Sequence, residues 1–347
     1  MGSASIASAS VNLKDDSLLE IQALEAPLPT GMRQASTELL RSEWAQGDLR
    51  WEEGLAGDYA DSLRLIACMG RREGEWVGNA TTAFAVRQPE LGVICDVATR
   101  REQRGLGIAG MLMQTAIDQF HRYSNGPLYL GAHRGGAAER VYRRLGFDWF
   151  HGGVMRRLPD AAPGFDQIHF APDQSSTVRP VEWGDLPGVS ALLTRPYELV
   201  AGDLVHGMLS PRYANQERCV SIFPTIRYDV LARNGVCLSL VGEAPHRILG
   251  LASLTPLDRA SRRHVGMLEI MTHEAYYEQG SGLLRATLGA GRERGIERAV
   301  VYVPVTDQPK VRWLDALSAR RVGLLPTHVK LTHKQVDAEI YEIAIGN

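Results

Sequence analysis

The stretch CDVATRREQRGLGIAGMLMQTAI, residues 95–117, joins a β-rich run ending at Val97–Thr99 to a glycine-containing loop and then to an amphipathic helix. Apolar residues recurring at helical spacing predict that helix over 107–123. The first backbone N–H groups of a helix have no internal acceptors and point outward with the positive end of the dipole, so loop and helix start together form an anion site. Gly105 and Gly107 permit unusual dihedrals and close approach of a phosphate, while Ala109 keeps the helix start uncluttered. Backbone amides from Arg104 through Gly105, Leu106, Gly107 and Ile108 to Ala109 are the candidate phosphate cradle.

Working outward, the pattern predicts strands over 19–24, 63–70, 76–86 and 91–97, with 71–75 as a turn, and helices over 32–44 and 51–59. Downstream, LYLGAHRGGAAERVYRRLGF (128–147) reads as a strand over 127–131 and a helix over 136–145 that Gly146 would cap in the left-handed conformation. The serine- and alanine-rich opening to Asp16 reads as a mobile tail, because it carries little apolar surface to offset ordering entropy. Residues 159–176, rich in proline and polar side chains, read as a linker. A second domain is expected over 177–345, beginning with a strand and a helix that Asp185 would cap.

Arg104-Gly105-Leu106-Gly107-Ile108-Ala109 resembles the phosphate-loop signature of the GNAT acyltransferase superfamily, Gln/Arg-x-x-Gly-x-Gly/Ala, set between a strand and a helix. The second hallmark of that family follows in order: a strand, a helix bearing Tyr142, and the ending Leu145-Gly146-Phe147. The resemblance covers 18–158 and recurs more faintly afterwards. It implies an α/β fold with a mixed sheet, in two tandem copies, and an N-acyltransferase using acetyl-CoA or another acyl-CoA. It also implies a bulge that splays the strand 91–97 from the strand 127–131, so that the acyl-pantetheine arm lies between them along Val97 and Thr99.

Acyl transfer from a thioester needs a deprotonated nucleophile, a donor to the carbonyl oxygen and an acid for the departing thiolate. Tyr142 matches the family's general acid, and its ring could equally be packed beside the cofactor. Asp96 is a candidate base, or a carboxylate paired with a neighbouring arginine. His133, at the end of the fifth strand, is expected to face the cleft and suits proton transfer, or else lies at the surface and caps the next helix. Thr99 and His133 together also resemble a GNAT-like branch that decarboxylates malonyl thioesters, which would bring in an acyl carrier protein. Arg100, Arg101, Arg104, Arg140, Arg143 and Arg144 surround the loop, where they pair with the 3′-phosphate of coenzyme A or are simply solvated, and Trp44 and Trp51 would line the acceptor side or serve as core or lid.

In the second half, HVGMLEIMTHEAYYEQGSGLL (264–284) sets Glu269 under Asp96, Thr272 under Thr99 and Gln279–Gly282 under Arg104–Gly107. Two extra residues intervene, Leu284 replaces the small residue at the helix start, and Leu317 is expected where Tyr142 would stand. This copy is expected to be degenerate.

The 347 residues suit two domains of roughly 150 residues each. With 44% hydrophobic and 22% charged residues the chain is globular, and a net charge of −2 provides no field for a nucleic-acid backbone or an anionic membrane. Cys68, Cys95, Cys219 and Cys237 are too far apart for a zinc or redox pair, so no metal is expected and a reducing, cytoplasmic setting is. The opening has neither the basic start nor the apolar stretch of a secretion signal. The expected partners are a small-molecule or protein amine.

Overall fold

The computed structural model describes residues 5–43, 52–151, 153–159, 164–172, 175–194, 230–243, 247–330 and 334–346. Trp44, Trp51 and Cys219 lie outside the described residues. The first compact unit runs to Pro163 and takes in Glu182–Pro187, and the second begins at Gly164. The division therefore falls inside the stretch predicted as a linker.

In the first unit the elements are β1 (Ser5–Asn12), β2 (Leu18–Glu25), α1 (Thr30–Glu43), α2 (Glu52–Ala56), β3 (Leu63–Arg72), β4 (Glu75–Ala85), β5 (Gly92–Thr99), α3 (Ile108–His121), β6 (Leu128–Gly131), α4 (Ala137–Arg144), β7 (Asp148–His151) and β8 (Val154–Arg157). They build an eight-stranded sheet ordered β1-β2-β3-β4-β5-β6-β8-β7. Neighbours are antiparallel except β5 and β6, which run parallel.

The mobile tail predicted to Asp16 is instead largely a strand. β1 pairs with β2 from Ser5↔Leu24 to Asn12↔Leu18, and Leu13 is buried in the core with Ile6 and Val11 packed against it. Backbone pairing plus these apolar contacts offset the ordering entropy that the serine-rich composition suggested would prevail.

Helix α3 buries Ile108, Leu112, Met113, Ala116, Ile117 and Phe120 in one core with Ile66, Cys68, Val77, Ala80, Phe84 and Ile94 of the sheet. Each such side chain taken from water contributes roughly 1.5–3 kcal/mol. The helix lies close because Gly78 is beneath it: a Cβ there would stand 2.7 Å from Leu112 Cδ1 and 2.9 Å from Ile108 Cγ2. Burial within this core pushes the Cys68 thiol above its ordinary range.

The second unit contains α5 (Phe165–His169), β9 (Thr177–Pro180), most of α6 (Leu186–Leu193), β10 (Val236–Val241), β11 (Ile248–Pro256), β12 (Val265–Thr272), α7 (Tyr277–Glu293), β13 (Arg298–Pro304), α8 (Gln308–Asp315), β14 (Arg320–Lys330) and β15 (Gln335–Ala344). Its sheet order, β9-β10-β11-β12-β13-β15-β14, repeats β2-β3-β4-β5-β6-β8-β7 strand for strand. The parallel pair β12–β13 falls where β5–β6 falls. The duplication expected from the order of elements is thus present in the topology. Asp185 does not cap α6 directly: it ends the 3-10 turn Trp183–Asp185, and its carboxylate accepts from the Glu182 N–H at 2.9 Å.

Two correspondences differ from the sequence reading. Gln279–Gly282 is no loop, because α7 already begins at Tyr277 and carries these residues in its first turns. Gly280 serves helix packing there: a Cβ would meet the Trp313 ring at 2.2 Å, and Trp313 Nε1 donates to the Tyr277 carbonyl at 2.8 Å. The partner of Tyr142 is Leu314, not Leu317. The N–H of Phe147 bonds back to the Tyr142 carbonyl, and that of Ala319 to the Leu314 carbonyl, with Gly146 and Ser318 both at positive φ. Leu284 is fully buried in the second unit, so its size answers to packing rather than to a ligand.

Replacing Gly280 by alanine is expected to destabilise the second unit by about 1–3 kcal/mol, since the added methyl overlaps a ring already fixed by its N–H bond. Denaturant unfolding followed by Trp313 fluorescence measures it, and an unchanged midpoint would contradict the packing role.

Candidate functional site

The site begins with a fault in the β4–β5 ladder. Asn79 pairs with Ala98 and Thr81 with Cys95, leaving Asp96 and Val97 opposite Ala80 alone. Asp96 takes φ 54°, a left-handed conformation uncommon for a residue other than glycine. The buried Asn79 amide holds this bulge, donating from Nδ2 to the Asp96 carbonyl at 2.9 Å and to Thr81 Oγ1 at 3.2 Å. Pairing of β5 with β6 extends only over Gly92↔Leu128 and Val93↔Tyr129, so the two strands part before the bulge. β12 has no bulge against β11, and Glu269 sits in regular register opposite Ser253.

Beyond Thr99 the chain makes a 3-10 turn, Arg101–Gln103, and then the loop to α3 with Gly105 at φ 88° and Gly107 at φ 96°. Gly107 is the N-cap of α3 and offers no side-chain cap to the N–H groups of the first turn. Those amides face a cavity of about 460 Å³. Its floor and loop side are Val97, Ala98, Thr99, Gln103, Arg104, Gly105, Gly107, Ile108, Ala109 and Gly110. α4 provides the opposite wall through Ala137, Ala138, Arg140, Val141, Tyr142 and Arg144, and Lys14 and Glu43 complete the lining.

The structure therefore brings together most of the predicted residues. Val97, Thr99, Arg104, Gly105, Gly107, Ile108, Ala109 and Tyr142 all line the cavity. Leu106 does not: its side chain is half-buried and packs against the core. Asp96 is buried in the bulge outside the lining. His133 was expected to face the cleft, yet β6 ends at Gly131, and His133 is an exposed loop residue absent from the cavity wall. Of the arginines, Arg104, Arg140 and Arg144 line the cavity, whereas Arg100 donates to the Trp76 carbonyl at 2.8 Å and Arg143 pairs with Glu139 at 3.0 Å.

Tyr142 is only 6% exposed and meets Phe147 edge-on, with ring centroids 6.4 Å apart. The loop leading into its helix is tied by Glu139, whose carboxylate accepts from Trp149 Nε1 at 2.7 Å, the Gly135 N–H at 2.7 Å and Arg143 Nε at 3.0 Å. These bonds, led by the Trp149 indole, hold the Glu139 carboxyl down to about 2.

The chemistry of the lining fits a polyanion with a polar arm. Lys14, Arg104, Arg140 and Arg144 are cationic, and the α3 amides add unpaired donors. The buried Thr99 Oγ1 has no hydrogen-bond partner, while the Thr99 carbonyl accepts from Arg104 Nε at 3.2 Å. Glu43 opposes this charge from the end of α1. Its carboxylate takes Arg104 Nη2 at 2.5 Å and the Arg101 N–H at 3.2 Å, which ties the end of α1 to the loop. Among the described residues no cluster of histidine, cysteine and carboxylate side chains could hold a metal, and no helix is long and apolar enough to cross a membrane.

Residues 33–147 match the model of the Acetyltransferase (GNAT) family. No curated protein matches the sequence. Among solved structures, the chain is similar to an acetyltransferase of the GNAT family from Streptococcus pneumoniae, at 20% identity and a TM-score of 0.39, covering 50% of this chain and 100% of that one. It is also similar to an N-acetyltransferase from Staphylococcus aureus Mu50, at 11% identity and a TM-score of 0.41, with coverage of 50% and 100%. A third is a phosphinothricin acetyltransferase from Sinorhizobium meliloti in complex with AcCoA, at 13% identity and a TM-score of 0.41, covering 50% of this chain and 90% of that one.

Proposed function

We propose that this chain, whose residues 33–147 match the GNAT acetyltransferase family model, takes an acyl group from acetyl-CoA bound between α3 and α4 and passes it to an amine of a small molecule or a protein. The observation that carries this reading is the cavity in which a glycine loop, a helix N-terminus, four cationic side chains and Tyr142 converge. Amides from Gly105 to Gly110 and the cations Lys14, Arg104, Arg140 and Arg144 would hold the diphosphate end. Thr99, whose hydroxyl is buried beside the cleft, suits the carbonyl-rich pantetheine arm.

Bound there, acetyl-CoA supplies a thioester whose carbonyl carbon is open to a neutral amine. The Tyr142 hydroxyl delivers a proton to the departing sulfur, and its burial in the α4 wall keeps it in place. Asp96 is the proposed base, acting through a water, because the bulge that Asn79 fixes keeps it outside the cavity lining. The alternative, decarboxylation of a malonyl thioester, needs Thr99 and His133 together. One lines the cavity and the other is exposed outside it, which weighs against that alternative.

The second unit is proposed to be a structural copy without a cofactor, since Trp313 closes α8 onto α7 and Leu314 replaces the acid. Among the described residues, Cys68, Cys95 and Cys237 are buried thiols in no disulfide, which supports a reducing compartment such as the cytoplasm.

Mass spectrometry after incubation with acetyl-CoA and a panel of amines tests the reading. Acylated product and free coenzyme A are expected in equal amounts for at least one amine. Tight binding without turnover on any amine would make the protein an acyl-CoA-binding module instead.

A further inference from the structure

The strand order contains one element with no counterpart among the described residues of the second unit: β1, which adds an edge to the first sheet beyond β2. Its connection to β2 is a tight turn in which Leu13 N–H bonds to the Ser17 carbonyl at 2.8 Å and Asp16 N–H to the Leu13 carbonyl at 3.1 Å. Two anchors fix this turn against the start of α3. Leu13 is 4% exposed and shares the core that contains Ile108 and Leu112. Arg72 joins the turn to the approach of the phosphate loop, donating from Nη2 to Asp15 Oδ2 at 2.8 Å, from Nε to Ser17 Oγ at 3.0 Å, and from Nη1 to Gln103 Oε1. Gln103 itself lines the cavity.

Between these anchors stands Lys14. Its Cε lies 4.0 Å from the point a Cβ on Gly107 would occupy, at the N-cap of α3, and the side chain is part of the cavity lining. A flexible ammonium carried on a fixed turn, beside backbone amides that have no acceptor, is arranged to meet anionic oxygen.

We propose that the N-terminal hairpin is part of the cofactor site, and that Lys14 is a binding residue for the diphosphate of the acyl-CoA, with Arg72, Asp15 and Gln103 as the residues that position it. This deepens the acyl-CoA reading above and rests on it. The commitment to the diphosphate follows from Lys14 sitting at Gly107 rather than along α4, where Arg140 and Arg144 stand. Asp15, held below the usual carboxylate range first by the Ser17 hydroxyl, stays charged and keeps the Arg72 link closed at neutral pH.

The test is calorimetric titration of the full chain with coenzyme A, dephospho-coenzyme A and pantetheine. Lys14→Ala is expected to weaken coenzyme A binding about 5- to 10-fold, to weaken dephospho-coenzyme A by the same factor, and to leave pantetheine unaffected. Lys14→Arg should restore most of the loss. Arg72→Ala should reproduce part of it, and the double variant should lose less than the product of the two, because both act through one contact.

Wild-type protein that binds coenzyme A, with Lys14→Ala binding equally well, overturns this inference alone. A loss confined to coenzyme A and absent with dephospho-coenzyme A also overturns it, by moving Lys14 to the 3′-phosphate. Wild-type protein that binds neither nucleotide overturns the acyl-CoA reading, and this inference with it.

Discussion

Tyr142→Phe is expected to lower kcat for acyl transfer by about 10²- to 10³-fold while leaving the Kd for acetyl-CoA within twofold. The ring stays, so its edge-on contact with Phe147 and its place in the α4 wall are kept. Only the hydroxyl is removed, and with it the proton for the leaving sulfur. If the side chain merely packs beside the cofactor, kcat is unchanged in the variant, and pre-steady-state release of coenzyme A distinguishes the two outcomes directly.

Gly107→Val should act on binding instead, weakening acetyl-CoA by at least 100-fold, about 2.7 kcal/mol. Two causes add. A φ of 96° is adopted cheaply by glycine and strains a β-branched residue by about 1–3 kcal/mol, which pulls the loop away from its present path. The new side chain also projects between Lys14 Cε and Met111 Cε, each 4.0 Å from the new Cβ, into space the diphosphate would use. Gly135→Ala is the control. Gly135 has φ 77° and open space around it but does not line the cavity, so it should lose stability and keep its affinity. Equal affinity losses in the two variants would mean that backbone strain, and not the cradle, is being measured.

The loop and its two helices were legible because their signals are local. Glycines at 105, 107 and 146 mark backbone conformations that few other residues adopt, and the apolar spacing of α3 from Ile108 to Phe120 is helical without interruption. Tyr142 follows from the same local frame, four residues before Gly146. What stayed hidden depends on partners far away in the chain. β1 is a strand only because β2 offers an edge to pair with, and Lys14 reaches the cavity only because Arg72 and Leu13 hold the turn. Glu43 and Asn79 belong to the site through the same long-range folding, one pairing with Arg104 and the other with the Asp96 carbonyl.

Where the reading of the second unit went astray, composition had stood in for phase. Gly280 and Gly282 look like a phosphate loop as letters, but α7 begins at Tyr277 and spends Gly280 on close packing with Trp313. α8 starts at Gln308, with Asp307 as its N-cap and Pro309 in its first turn. Leu314 rather than Leu317 therefore takes the place of the tyrosine. His133 illustrates the remaining limit. It reads as the end of the fifth strand, whereas β6 stops at Gly131, and the turn that carries His133 away from the cleft is not readable from residue types.

The central claim, that main-chain amides between Arg104 and Ala109 grip a diphosphate, is tested most directly by isothermal titration of the full chain with acetyl-CoA. One site per chain is expected, with heat abolished by Gly107→Val and with binding weakened as salt rises. No heat in the wild type, or two equivalent sites per chain, would contradict it.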